Sequence, residues 1–465
     1  MGAGGAGRRR PSAPAPRTAV PHRAAVDHPD ASGFTRGRRT NRTNLLIGCI
    51  PAGTGLGTTT RPPRPPRTTR RGGTVPSTDS STDLRARAVT FYLPQFHPVP
   101  ENDAWWGPGF TEWTNTAKAR PLFRGHVQPH IPADLGFYDL RMPEAREAQS
   151  DLAQRYGVEA FVYWHYWFGG GRRILERPFT EVLASGAPSV KFCLAWANQT
   201  WSGIWHGASD RVLMEQTYPG AEDEQAHFDS LLPAFRDERY LRVDDRPVFY
   251  VFRPEDLPDA AAFVDRWQGM ARAAGLPGLY LVAEVSDLLG RGPKYTDVDA
   301  AGFDAGVYMR IPARQTRADV LRMRLGRKLG KPEIFPHAPD FEPAPAGISD
   351  RLQPCVYPNW DNSPRSGSRA VVVTGSSPEL FGRHVRQAVA TLQDRRPAER
   401  LLWVKSWNEW AEGNYLEPDL EHGHAWLEAL RDGLTGTSTL ATTPARVLTP
   451  HPLAAPAPTD GVAHG

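Results

Sequence analysis

The chain has 465 residues, 40% of them hydrophobic, with 14 Trp, 13 Tyr and 19 Phe and a formal charge of +4. That length builds a sizeable core without disulfides or metals, and that composition excludes a chain disordered throughout. The isoelectric point near 9.0 points toward an anionic partner, but residues 1–84 hold 14 Arg and 4 Asp with no Lys or Glu, a net of +10, while the other 381 residues hold 41 basic and 47 acidic side chains, a net of −6.

The excess positive charge therefore belongs to one end, and no nucleic-acid partner is expected. Residues 1–84 are rich in Arg, Pro, Gly, Ala and Thr, with Arg61–Pro66 reading RPPRPP. Such a segment buries too little apolar area to offset chain entropy and reads as disordered. Three alternatives stand beside that reading. One is a basic arm for nucleic acid or anionic lipid. Another is a displaced secretion signal around Arg38-Arg39 and Leu45–Leu56. The third is a translation start set too early: no Met lies between Met1 and Met142, so a later start would use a Val or Leu codon such as Val75 or Leu84.

From residue 85 to 432 short apolar runs alternate with helical stretches. The strand candidates are Ala88–Leu93, Ala160–Tyr166, Lys191–Trp196, Pro247–Phe252, Leu279–Glu284, Ala305–Tyr308, Cys355–Asn359 and Leu401–Trp407. Between them the spacing predicts helices over Pro143–Tyr156, Phe179–Ser185, Glu222–Phe235, Ala260–Ala274, Val320–Leu329 and Pro378–Leu392. Eight strands alternating with helices argue for an α/β fold of the (β/α)8 TIM-barrel type. A doubly wound open sheet is weaker, since neither a G-x-G-x-x-G after a first strand nor a phosphate loop occurs. Residues 433–465, rich in Thr, Ala and Pro, read as a second disordered tail. Cys49, Cys193 and Cys355 are too few and too scattered for a disulfide framework or a zinc site, and Cys193 and Cys355 read as small buried hydrophobes. No run of 18 apolar residues predicts a transmembrane helix, and a cytoplasmic protein, at most peripheral to the membrane, is expected.

Barrel enzymes carry their chemistry where strands run into the following loops, and here those ends are loaded. The first continues into His97, Trp106, Glu112 and Trp113; the second ends in His165, Tyr166 and Trp167; the third runs into Trp196, Asn198 and Trp201. The seventh gives Trp360, and the eighth Trp407, Asn408, Glu409 and Glu412. Core packing asks for Leu, Ile and Val, because each buried polar group needs a partner. Trp interleaved with Asn, His and Glu suits a sugar, whose C–H faces stack on rings while its hydroxyls meet amides and carboxylates. These residues are the candidate substrate contacts, with Glu409 and Glu412 as the catalytic pair. Some of the Trp would serve as support rather than contact.

Strand parity puts Trp403, Lys405, Trp407 and Glu409 on one side and Leu402 and Val404 on the other. The aliphatic side would pack on helices and turn Glu409 toward the barrel axis. Burial among indoles raises a carboxyl pKa, and two close carboxylates push theirs apart, which yields one proton donor and one base. The plainer reading of this i, i+3 pair is helix capping or a surface ion pair.

The runs FYLPQFHPVPENDAWWGPGFTEWTN (91–115), HIPADLGFYDLRMPEAREAQ (130–149), FVYWHYWFGGGRRILERPF (161–179), FCLAWANQTW (192–201) and KSWNEWAEGNYLEPD (405–419) resemble the WbsX family of surface-polysaccharide glycosyltransferases, which carry a domain similar to glycoside hydrolase family 99. The resemblance covers roughly 85–432. It implies a (β/α)8 barrel that acts on α-mannosidic linkages with retention and with neither metal nor cofactor. It also implies that Glu409 takes the proton of the sugar 2-hydroxyl, which attacks the anomeric carbon to give a 1,2-anhydro sugar. Glu412 then protonates the leaving oxygen and activates the acceptor.

Three functions follow. One is a retaining glycosidase or transglycosylase on mannose-like residues of a surface polysaccharide. Another is a WbsX-type glycosyltransferase in polysaccharide biosynthesis, of O-antigen, lipopolysaccharide or capsule type. The third is a non-catalytic glycan-binding barrel. The one D-x-D motif, Asp297-Val298-Asp299, reads as a chance match. Residues 310–331 hold eight basic side chains and one Asp, a solvated helix face or a site for an anionic or lipid-linked glycan.

Overall fold

The computed structural model describes residues 84–203, 211–288, 293–311, 325–326 and 328–437. The Arg-rich segment before Leu84, Cys49, the tail from residue 438, residues 320–324 and 327 of the helix expected over Val320–Leu329, and most of the basic stretch lie outside the described residues.

Each of the eight apolar runs meets a strand: β1 (Arg87–Tyr92), β2 (Val158–His165), β3 (Lys191–Trp196), β4 (Arg246–Val251), β5 (Tyr280–Glu284), β6 (Ala305–Tyr308), β7 (Leu352–Val356) and β8 (Leu401–Val404). The seventh begins three residues before the expected Cys355 and ends at Val356 rather than Asn359. Their order is β3-β2-β1-β8-β7-β6-β5-β4, and a β3–β4 pairing through Leu194 and Phe249 closes the sheet. Every pair in the ring is parallel, so the described residues form a closed eight-stranded α/β barrel of the TIM type.

The helices are α1 (Pro100–Trp106), α2 (Glu112–Lys118), α3 (Pro143–Arg155), α4 (Arg177–Ser185), α5 (Ala221–Arg236), α6 (Ala260–Ala273), α7 (Ser363–Ser366), α8 (Pro378–Ala390) and α9 (Ala425–Thr435). Their starts are written locally. Asp259 accepts from the Ala262 amide at 2.9 Å and Ser377 from the Leu380 amide at 3.2 Å, each satisfying a donor that the first turn leaves open. Pro143 opens α3, where its missing N–H costs nothing.

Alternation along the strands separates two layers. Phe91 packs inside the barrel against Trp164, Tyr250 and Trp403, with ring centres 4.9, 5.2 and 5.7 Å away. Its neighbour Tyr92 points outward and donates to Gln149 of α3 at 2.7 Å. Parity fails at one place. β8 ends at Val404, three residues earlier than the sequence suggests, and the Trp407 amide donates to the Phe91 carbonyl at 2.7 Å. Trp407 then packs 5.1 Å from Phe161, on the helix-facing side, whereas Trp403 and Lys405 point inward. Cys193 and Cys355 are free, buried thiols whose ionisation burial opposes. Among the described residues no helix is long and apolar enough to cross a membrane.

Candidate active site

After β8 the chain forms a short antiparallel pair, Asn408–Glu409 with Asn414–Tyr415, joined by a 3-10 turn over Trp410–Glu412. Asn408 fixes this loop to the end of β1: its Oδ1 accepts from the Leu93 amide at 2.7 Å and its Nδ2 donates to the Leu93 carbonyl at 3.1 Å. The Trp410 indole stacks on Tyr415 at 3.9 Å, and its Nε1 donates to Glu417 at 2.6 Å. Glu417 also accepts from Tyr138 at 2.8 Å and Gln149 at 2.6 Å. On the other flank the Asp361 amide donates to the Glu412 carbonyl at 2.7 Å. Asp361 accepts from His126 at 2.7 Å and Gln128 at 2.6 Å. Burial pushes the Asp361 carboxyl up, but the bonds from His126, Gln128 and Ser363 outweigh it and hold its pKa below the usual range. Both glutamates thus sit on a loop pinned at each end.

One guanidinium gathers the carboxylates. Arg365, on α7 beyond β7, donates Nε to Glu112 at 3.0 Å, Nη2 to Glu409 at 2.6 Å and Nη1 to Glu412 at 2.5 Å. Glu112 enters from the first turn of α2 and is 3% exposed; Glu409 is 7% exposed. Three carboxylates share one positive charge. Burial pushes the Glu409 carboxyl up to about 7, the Arg365 charge pulls it down, and Glu412 and Glu112 push it up again. Tyr166 belongs to the same neighbourhood: burial and then the Glu409 charge raise its phenol, with Glu112 and Glu412 adding to this. Trp113 stands 5.5 Å from Trp410 and donates Nε1 to the Tyr138 carbonyl at 2.8 Å. Trp201, on a short hairpin strand, meets Tyr166 edge-on at 5.1 Å.

The other sequence candidates lie elsewhere. His165, Trp167 and Trp196 surround His227 of α5, with His165 Nε2 2.8 Å from His227 Nε2 and Trp167 stacked on the same ring at 4.7 Å. Burial pushes the His165 imidazole down to about 3 and that of His227 well below its ordinary value. Asn198 is fully buried and ties β3 to β4 through the Arg253 amide and carbonyl, both at 2.7 Å. His97 is buried at the end of β1, Trp106 half-buried at the end of α1 near Phe110, and Trp360 buried beside Tyr357. Asp299 pairs with Arg351 and Ser349, just before β7, so the D-x-D motif lies at the opposite end of the strands from the carboxylates.

Sequence reasoning missed Arg365, since a lone Arg in Ser-Pro-Arg-Ser carries no pattern. It also missed Trp164, which strand parity would have found: Ala160, Val162 and Trp164 alternate with Phe161, Tyr163 and His165 along β2, and only the first set can face the barrel axis.

The profile of the family described as glycosyltransferase WbsX matches residues 88–430. The protein named uncharacterized protein WxcX in Xanthomonas campestris pv. campestris strain B100 is 40% identical over 364 residues, which cover 77% of this chain and 51% of that protein. The chain therefore spans about half the length of the curated relatives it matches. A solved glycoside hydrolase-like protein superposes with a TM-score of 0.48 at 14% identity, covering 75% of this chain and 94% of its own. The GH99 endo-alpha-mannosidase of Bacteroides thetaiotaomicron gives 0.45 at 13% identity, with 75% and 96% covered. The family profile spans the barrel from β1 to α9, and the chain belongs to the WbsX glycosyltransferase family, a family of carbohydrate-active enzymes.

Proposed function

We propose that the barrel breaks a mannose-like glycosidic bond of a surface polysaccharide with retention, and passes the glycosyl group to water or to an acceptor alcohol. The observation that carries this reading is the gathering of Glu409, Glu412 and Glu112 on Arg365, on loops that follow β8, β7 and β1. The mannose-like sugar comes from the sequence resemblance to glycoside hydrolase family 99.

Glu409, with its carboxyl near 7, is a stronger base than an ordinary carboxylate and takes the proton of the 2-hydroxyl. The freed oxygen attacks the anomeric carbon, and the glycosidic bond breaks with its electron pair passing to the leaving oxygen. Glu412, on the more open side of the cluster, gives that oxygen its proton. The resulting carboxylate next deprotonates water or an alcohol, which opens the 1,2-anhydro ring at the anomeric carbon, and Glu409 returns the proton to O2. Two inversions at one carbon give net retention. Arg365 holds both carboxylates in one plane of donors and limits their mutual repulsion. The family description favours an alcohol as acceptor.

The test is anomer-resolved NMR of products from a mannose-containing surface polysaccharide, with Glu409→Gln and Glu412→Gln as controls. Each substitution is expected to lower turnover by roughly 10²–10⁴-fold while glycan binding persists. Undiminished turnover in either variant overturns the assignment. A requirement for a nucleotide sugar would instead favour a donor-dependent transferase.

A further inference from the structure

The barrel interior holds a second set of polar groups that this reaction does not use. Lys405 turns inward at the end of β8, and its ammonium lies 5.4 Å from the ring centres of Phe91 and Trp164 and 5.3 Å from that of Phe252. Those rings come from the ends of β1, β2 and β4. Lys405 is 8% exposed, and among the described residues no hydrogen-bond acceptor or ion-pair partner engages its nitrogen. Close by, at the end of β5, Glu284 accepts from the hydroxyls of Tyr250 and Ser286. Burial pushes its carboxyl up to about 7 even though the Lys405 charge pulls it down.

A buried ammonium and a buried carboxyl that share no hydrogen bond are poor packing for a barrel core, because each is taken out of water without an ionic partner in contact. The layer is also not sealed. Trp164, Phe252 and Glu284 remain partly exposed although they belong to the inward-facing set. Rings with open edges, a three-way donor and a carboxyl able to donate or accept suit a pyranose. Charge decides which kind. Glu284 lies within electrostatic reach of Lys405, whose charge lowers its carboxyl, and the loops after β1, β7 and β8 carry three carboxylates against the single charge of Arg365. A sugar bearing a carboxylate or phosphate would add negative charge to a surplus of it, and a neutral one would not.

We propose that Lys405, Glu284 and Trp164 form the floor of the cleft, bind the ring face and hydroxyls of a neutral pyranose, and set the sugar specificity of the barrel. This rests on the glycan chemistry assigned to Glu409 and Glu412. The experiment uses the full chain carrying E412Q, titrated calorimetrically with α-linked mannobioses and with the same disaccharides oxidised to a uronate at C6. Lys405→Met and Glu284→Gln are then added singly. The neutral disaccharide is expected to bind at least tenfold more tightly than the uronate. Each added substitution is expected to weaken it at least tenfold, with the circular dichroism spectrum and melting temperature preserved. Glu284→Gln keeps the shape of the site and carries the readout alone if Lys405→Met does not fold. Unchanged affinity in a folded variant, preference for the uronate, or no binding of either sugar overturns the proposal. Failure of the catalytic reading looks different: E412Q would keep turning over, whatever Lys405→Met does to binding.

Discussion

Arg365 sets one positive charge against three carboxylates and holds all three by a rigid fork, so its removal and its replacement by lysine have different consequences. A guanidinium presents a rigid fork of donors, whereas an ammonium is a point charge that cannot meet Glu112, Glu409 and Glu412 in one plane. The base Glu409 must be ionised, so kcat/KM is expected to fall about tenfold per pH unit below about 7, the value to which burial pushes it. Arg365 lowers that carboxyl. R365M is therefore expected to move the acid limb to higher pH and to lower the plateau. R365K is expected to leave the limb near its place and lower the plateau alone. A pH–rate profile distinguishes the two, and a limb unmoved in R365M would show that Arg365 does not act on Glu409.

The loop from Asn408 to Asp419 is an element in its own right, and its precision comes from groups that touch no substrate. Glu417 is 1% exposed and accepts from Tyr138, Gln149 and Trp410. A glutamine there would point its amide donors at other donors. E417Q is expected to cost ~2–3 kcal/mol of stability, read as a lower denaturation midpoint, because buried unmet groups carry their full desolvation penalty. Gly413 works at the opposite flank. Its φ is +67°, and a Cβ there would lie 2.8 Å from the Asp361 amide, which donates to the Glu412 carbonyl. G413A is expected to destabilise by roughly 1–3 kcal/mol and to lower turnover, because the same shift displaces Glu412. Retained activity in a destabilised G413A would separate the two roles. In the sequence, Trp-Asn-Glu-Trp and Glu-x-x-Glu were legible as chemistry, but the residues that hold them, Glu417, Asp361 and Arg365, carry no local pattern.

At the scale of the whole molecule, buried titratable groups pull stability in two directions. Burial raises Glu284, Glu409 and Glu417 to about 7, so each costs stability as pH rises from its unfolded value near ~4.3 through 7. Burial lowers His97, His130, His165, His227, His337 and His384. Each of these rings takes up its proton at lower pH in the fold than in the unfolded chain, whose imidazoles protonate below ~6.5, so each costs stability as pH falls through that value. His422 runs the other way: burial pushes it down, but its bond to Asp419 raises it above its ordinary value. The histidines outnumber the glutamates. The melting temperature is expected to rise from about pH 4.5 to 6.5 and to level off above about 7, checked by thermal melts across that range. A melting temperature that rises on acidification would contradict this balance.

The sequence by itself determined the strand-and-helix order, the closed barrel and the end of it that carries aromatic and carboxylate groups. Those follow from local periodicity: eight apolar runs at regular spacing leave few ways to bury themselves. It also showed that the positive charge belongs to the first 84 residues and not to the patterned block. Only the tertiary structure decided which polar groups meet. His165 and Trp167 turn outward to His227 while Trp164, between Tyr163 and His165, turns inward, because parity in β2 is fixed by the closed sheet. Trp407 leaves the inward set because β8 ends at Val404. Arg365 reaches Glu112, 253 residues away, and Glu409 and Glu412, 44 and 47 residues away, and such separations leave no trace in local spacing.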